Sequence, residues 1–439
     1  MIDEFDDAIA LANGPGRTAP VPAPAEPPAA DEASDTAPDP WADLGRPHRT
    51  TADHPGWESA RELAHRAVRP LPPRRLPIDY ALGHTLASPL TALTDLPPFD
   101  TSAMDGWAVA GPGPWRLTGR STALAGGPLS QPLTDGQAVP IATGARVPDG
   151  ATAVLRTERG TVDRGQLTGE SPEPGGDIRP RGQECRSGVE LLPAGDPLTP
   201  AGLGLAAAAG YDQLAVRPRP RAEVLVLGDE LLFRGLPHDG RVRDALGPMI
   251  GPWLTSLGAQ VLVTRRLGDD AEALREAVET TRADLLVTTG STAAGPVDQL
   301  RGVLRELGAH LLVSGVAVRP GHPMLLAELP GGVPLIGLPG NPLAAVSGLL
   351  TLAAPLLRAL VDRPAPADRG GWLTDRVTGH PRDTRLVPVF CPDPATARPL
   401  SYAGPAMLRG IAAASALAVI PPGGAEASAE VRLLDLPQA

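Results

Sequence analysis

The run AEVLVLGDE, residues 222–230, sets the fold class. Its apolar core has no polar alternation, as expected of a strand covered on both faces, and it stops at a glycine and two carboxylates. Three further runs repeat the pattern: QVLVTRRLG (260–268), DLLVTTG (284–290) and PLIGLPG (334–340). Helical spacing lies between them. Leu246, Ile250, Leu254 and Leu257 share one face, AEALREAVETTR follows with Asp269 or Asp270 as its N-cap, and VDQLRGVLREL makes a third helix. LLVSGVAV and PMLLAEL read as more strands, and Leu343 to Leu360 as an aliphatic helix. Strands alternating with helices predict a three-layer α/β domain with a mostly parallel sheet over 218–363. Its ligand is expected beyond the carboxyl ends of the strands.

On either side the character changes. Trp57, Ala60, Leu63, Ala64 and Ala67 follow helical spacing up to Pro70. WRLTG, AVPIATG and ATAVLRTE are short β-like runs with frequent turns, and a helix is expected near Pro200 to Ala209. RLVPVFC and SALAVIPPG suggest a small all-β domain over 364–439. Residues 1–50 hold nine prolines and ten acidic residues, too little apolar surface to offset ordering entropy, and read as a disordered acidic tail.

Composition bounds the function. With 42% apolar residues, 439 residues can bury several cores. A net charge of −11 argues against a general nucleic-acid binder. No apolar run reaches 18 residues free of Gly, Pro and charge, so no membrane partner is expected; the acidic start is unlike a secretory signal, and Cys185 and Cys391 fit a reduced cytoplasmic protein. The chain contains no lysine, and only Asn13 and Asn341 as asparagines, so an arginine in a lysine's place carries little information and a histidine there carries more.

Several segments carry chemistry. The small residues of TTGSTAAGP (288–296) let backbone N–H groups approach an anion, although an ordinary βα loop explains them as well. In LPGNP (338–342), Gly340 permits a turn, Asn341 suits an N-cap and Pro342 the first helical position. RPGHP (319–323) sets Arg319 and His322 around a turn, as an oxyanion clamp or a surface turn. Asp105, Asp229, Glu230, Asp244, Asp269 and Asp298 lie at strand ends or turns; such hard donors suit Mg²⁺ bridging phosphates, and singly they suit solvated loops. There is no zinc-type His/Cys cluster, Walker A motif, nucleophile elbow or dinucleotide fingerprint.

Six stretches in order resemble the MoeA/gephyrin-E family of molybdopterin molybdenumtransferases. They are LPPFDTSAMDGWAV (96–109), IATGARVPDGATAVLRTE (141–158), IRPRGQECRSGVELLPAG (178–195), LGDELL (227–232), AVRPGHPM (317–324) and LPGNPLAAVSG (338–348). The resemblance implies an elongated domain split over 51–95 and 172–217 around a small β-domain at 96–171. A molybdopterin-binding α/β domain (218–363) and a C-terminal β-barrel (364–439) would follow. It implies a cytoplasmic homodimer, with molybdopterin adenylyltransferase and apo-molybdoenzymes as further partners. The implied reaction is Mg²⁺-dependent: molybdate is inserted into adenylylated molybdopterin and AMP is released. A non-catalytic scaffold, regulator or cofactor carrier is the alternative.

By the same resemblance Asp105, Glu230 and Asp298 are catalytic and, with Asp269, metal-binding. Thr143, Arg319 and Arg382 would bind substrate, and Asp244, Gly290, His322 and Asn341 are further substrate-binding candidates of this chain. The chain departs from the family where GGVSVGDYD reads GSTAAGPVD (290–298) and where the second lysine of the PGKP turn is His322.

Overall fold

The computed structural model describes residues 54–118, 123–127, 131–290, 292 and 299–437. The tail expected at 1–50, most of the GSTAAGPVD loop and Asp298 lie outside the described residues.

Helix α1 (Trp57–Arg66) buries Trp57, Ala60 and Ala64. Leu63, placed by its spacing on the same face, is exposed. Beyond it the chain runs out along a ribbon and returns. Arg74–Pro77 and Thr85–Leu86 both pair with Gln213–Arg217; Leu90–Thr91 pairs with Glu190–Leu192, and Thr101–Ser102 with Ile178–Arg179. The segments expected to form the split domain thus pair antiparallel with one another.

At the far end of the ribbon stands a six-stranded sheet. Its strands are β1 (Gly106–Val109), β2 (Trp115–Leu117), β3 (Gln137–Ile141), β4 (Ala153–Arg156), β5 (Gly160–Asp163) and β6 (Gln166–Gly169), ordered β4-β1-β3-β2-β6-β5. Trp115, Leu155 and Leu167 fill one of its cores. Gly106 is required at the start of β1, because a Cβ there would lie 2.0 Å from the Leu155 carbonyl oxygen.

The α/β domain contains β7 (Arg221–Leu227), α2 (Leu246–Ser256), β8 (Gln260–Leu267), α3 (Ala271–Glu279), β9 (Leu285–Thr289) and α4 (Gln299–Glu306). There follow β10 (His310–Ser314), β11 (Val318–Arg319), β12 (Leu325–Glu328), β13 (Pro334–Leu338) and a long helix α5 over Pro342–Leu360. The sheet order is β8-β7-β9-β13-β12-β10, parallel across its first three pairings and antiparallel across the last two. Both faces are covered, which explains the unbroken apolar runs. Val224, Val226, Val287 and Ile336 pack against α2 and α5; Leu225, Leu227 and Leu286 pack against α3 and α4.

Helix α5 is long and apolar enough to cross a membrane, but 94% of that stretch is buried inside the protein. It widens into a π-helical turn at Leu349–Ala353. Pro355 lies just beyond and has no N–H to donate. In the wider register the Ala354 N–H bonds the Leu349 carbonyl, which leaves the Leu350 carbonyl without its helical donor. Arg61 of α1 supplies one at 2.6 Å, and the Trp57 indole N–H donates to the Thr351 hydroxyl at 3.0 Å.

The last domain is a closed five-stranded barrel of β14 (Arg369–Leu373), β15 (Thr384–Phe390), β16 (Thr396–Pro399), β17 (Ala416–Ile420) and β18 (Glu430–Asp435), in ring order β15-β16-β14-β18-β17. Val387 and Val389 of β15 point into it, whereas Leu386 joins the α/β core. β11 pairs in parallel with β15, so the RPGHP turn is stitched to the barrel.

Candidate functional site

Three groups of expected site residues emerge. The first is on the small β-domain, where the AMDG turn meets the ATGA loop. Thr143 donates its backbone N–H at 2.7 Å and its hydroxyl at 3.1 Å to the same Asp105 oxygen. That fixes the carboxylate and leaves its second oxygen facing solvent, as the residue is exposed.

The second group lies at the carboxyl ends of β7 and β8. A cavity of about 350 Å³ opens between them. Val226, Leu231 and Leu267 give it apolar lining; Phe233, Arg241, Arg266 and Asp229 also line it. The Arg266 guanidinium lies 5.0 Å from the Phe233 ring centroid. Asp229 sits over Gly268, where a Cβ would come within 2.4 Å of its oxygen. Glu230 and Asp269 are exposed at the same strand ends. Among the described residues, none of Asp229, Glu230 and Asp269 forms an ion pair.

Asp244, expected to bind substrate, is corrected by the geometry. It is 4% exposed, accepts the Gly247 N–H at 2.8 Å and pairs with Arg266 Nε at 3.2 Å. Both oxygens are engaged inside the protein, so it anchors α2 and aims Arg266. Of the two N-cap candidates for α3, Asp270 takes that place, accepting the Glu272 and Ala273 N–H groups.

Gly290 stands at the end of β9 with φ +84°, and a Cβ there would lie 2.9 Å from the Leu227 carbonyl oxygen. Its N–H donates to the Leu338 carbonyl at 2.9 Å. It therefore shapes the loop and offers no free donor to an anion. Asn341 occupies the N-cap position of α5, yet its side chain makes no capping hydrogen bond and is exposed. Its amide remains available at the strand ends.

The third group joins the α/β domain to the barrel. Arg319 Nε donates to Asp383 at 2.8 Å, and Asp383 is 1% exposed. The Asp383 N–H donates to His380 Nδ1 at 2.9 Å. Arg382, the residue before Asp383 in the chain, is exposed. The clamp expected of Arg319 and His322 is corrected in its second half. His322 donates its Nδ1–H to the Val316 carbonyl at 2.8 Å and meets the His54 ring edge-on. Burial first, and then the Arg319 charge, pushes its pKa below the ordinary histidine value, so it is neutral at pH 7.

Sequence reasoning passed over Arg266, Arg241, Phe233 and Asp383. The TRR run after β8 was a signal for Arg266; nothing local marked Asp383.

A family model for the MoeA N-terminal region, domains I and II, matches residues 56–210, and a model for a probable molybdopterin binding domain matches 223–359. The chain belongs to the MoeA family. It is 32% identical over 395 residues to a molybdopterin molybdenumtransferase 2 of Mycobacterium tuberculosis, covering 84% of this chain and 95% of that one. To a molybdopterin molybdenumtransferase of Staphylococcus aureus it is 30% identical, over 66% of this chain and 71% of that one. A crystal structure of a molybdopterin biosynthesis MoeA protein from Pyrococcus horikosii superposes with a TM-score of 0.71 at 25% identity, covering 88% and 99% of the two chains. The cavity between β7 and β8 thus belongs to the part of this MoeA chain that matches the molybdopterin-binding model.

The described carboxylates suit Mg²⁺ in one way. No three His, Cys, Asp or Glu residues form a cage among the described residues. Mg²⁺ commonly takes only one or two carboxylates and completes its shell with water and substrate phosphates. Exposed, uncommitted oxygens at Glu230, Asp269 and Asp229 fit that arrangement.

Proposed function

We propose that this MoeA chain is a molybdopterin molybdenumtransferase that inserts molybdate into adenylylated molybdopterin and releases AMP. The carrying observation is the cavity of about 350 Å³ at the ends of β7 and β8, with an arginine-stacked aromatic wall and free carboxylates at its mouth. Phe233 and the apolar floor receive a planar ring. Arg241 and Arg266 oppose the phosphate charge, and Arg266 is held in place by Asp244. Asp105 contributes one free, oriented oxygen, Asn341 an amide, and Arg319 and Arg382 positive charge beside molybdate. Mg²⁺, held by Glu230 and Asp269 together with Asp298, would neutralise the phosphates of the substrate. The protein's contribution is positioning and electrostatics, since the metal of molybdate is already electrophilic.

Among the described residues, no hydrogen bond or ion pair links the Asp105–Thr143 pair to the strand-end group. A homodimer, in which Asp105 of one protomer completes the strand-end site of its partner, would bring the two groups together. Purified protein with adenylylated molybdopterin, Mg²⁺ and molybdate tests the reading. AMP release that depends on molybdate is expected; tight substrate binding without AMP release would instead assign the chain as a carrier.

A further inference from the structure

A second cavity lies at the opposite end of the α/β sheet. It is lined by Arg219, just before β7, by Arg358 and Arg363 at the end of α5, and by Gly258 after α2; Gly83 and Thr85 of the split domain close it. Its volume is about 30 Å³, roughly twice what one water needs. Seven residues of β7 separate it from the strand-end cavity, on the order of 20 Å.

The charge in this pocket is unbalanced. Among the described residues, three arginines line it and no carboxylate does. Asp362, which stands between the lining residues Val361 and Arg363, is largely exposed and pairs with Arg217 at 2.9 Å. Two helix ends, those of α2 and α5, approach it with about half a negative charge each, which leaves roughly two positive charges uncompensated. Arg219 spends Nε and one terminal nitrogen on the Gly258 and Ala259 carbonyls. Arg358 Nε is buried and has no hydrogen-bond partner. A buried donor of a cationic group without an acceptor is costly and uncommon in native structures. The surroundings agree: His84 accepts the Arg219 N–H, and burial and the Arg219 charge lower its pKa; burial, Arg363 and Arg432 lower that of Arg358.

We propose that this junction is an anion site, distinct from the strand-end cavity, that takes a dianionic tetrahedral oxyanion of the sulfate, phosphate or molybdate class. The anion supplies the acceptor that Arg358 Nε lacks and cancels the excess charge. Because the walls come from two domains, its occupancy ties the split domain to the α/β domain. The inference stands on these residues alone and is independent of the reaction proposed above.

Crystals of the full chain soaked in tungstate test it directly. Anomalous density is expected between Arg219, Arg358 and Arg363, whatever is seen near Asp105 or Glu230; water alone in that cavity overturns the proposal. In solution, sodium sulfate is compared with sodium chloride at equal ionic strength by thermal melting. Sulfate also stabilises proteins by exclusion, so the deciding quantity is the difference between variants. The extra rise in midpoint seen with sulfate is expected to shrink in Arg363→Gln, at an exposed position, and to vanish in Arg358→Met. An equal rise in wild type and Arg363→Gln overturns the site.

Discussion

Thr143 holds Asp105 by two hydrogen bonds to one carboxylate oxygen, across 38 residues of chain. The bonding is one-sided, so the free oxygen is oriented without being consumed. Asp105→Ala is expected to abolish AMP release while the melting midpoint and circular dichroism stay as in wild type. Thr143→Val keeps the N–H bond and loses the hydroxyl, and turnover is expected to fall about tenfold, the effect of one modest hydrogen bond on a barrier. Unchanged AMP release from Asp105→Ala would remove that residue from the site.

Arg319 and Asp383 join two domains through a nearly fully buried carboxylate. Removing the cation leaves that carboxylate buried without its partner. Arg319→Met is therefore expected to lower stability by about 3–5 kcal/mol in denaturant unfolding. A loss under about 1 kcal/mol would mean that Asp383 finds other donors. Arg319→Lys should recover part of the loss, because it keeps the charge and drops the planar fork.

His322, His380 and His84 all have pKa values below that of a free histidine, with burial as the leading cause. The unfolded chain therefore takes up protons first as pH falls through about 6.5. Stability is full above that value and declines below it, until the folded-state histidines titrate in turn. His322→Asn, which can still donate to the Val316 carbonyl, is expected to flatten the fall in melting midpoint between about pH 7 and 5. An identical slope in the variant would show that the other two histidines carry the effect.

Arg61 donates to the one carbonyl that the π-helical turn and Pro355 strand inside α5. Arg61→Met keeps the stem and removes the donor. A destabilisation of about 1–3 kcal/mol is expected from urea unfolding, the penalty for an unsatisfied buried acceptor. Trp57→Phe, which removes the bond to Thr351, should cost less, about 1 kcal/mol.

Local chemistry determined much of this molecule. The two-faced apolar runs at 222–227 and 284–289 specify buried strands, because only a sheet covered on both sides tolerates them. The glycines at 228 and 290 mark where those strands must turn, and the carboxylates beyond them mark the ligand-binding end. Leu63 was misplaced by the same kind of reading: helical spacing names a face but not how wide a strip of it the neighbouring helix covers.

Only the tertiary structure decided which charged side chains remain free. Asp244 and Glu230 look alike as loop carboxylates; one is buried against Arg266 and the other is exposed. Arg319 reads as one half of a clamp with His322 until a barrel strand brings Asp383 to its Nε from 64 residues away. Asn341 reads as a capping residue until its side chain is seen to make no capping bond. Ion pairing and burial depend on which distant segments meet, and short-range periodicity holds no record of that.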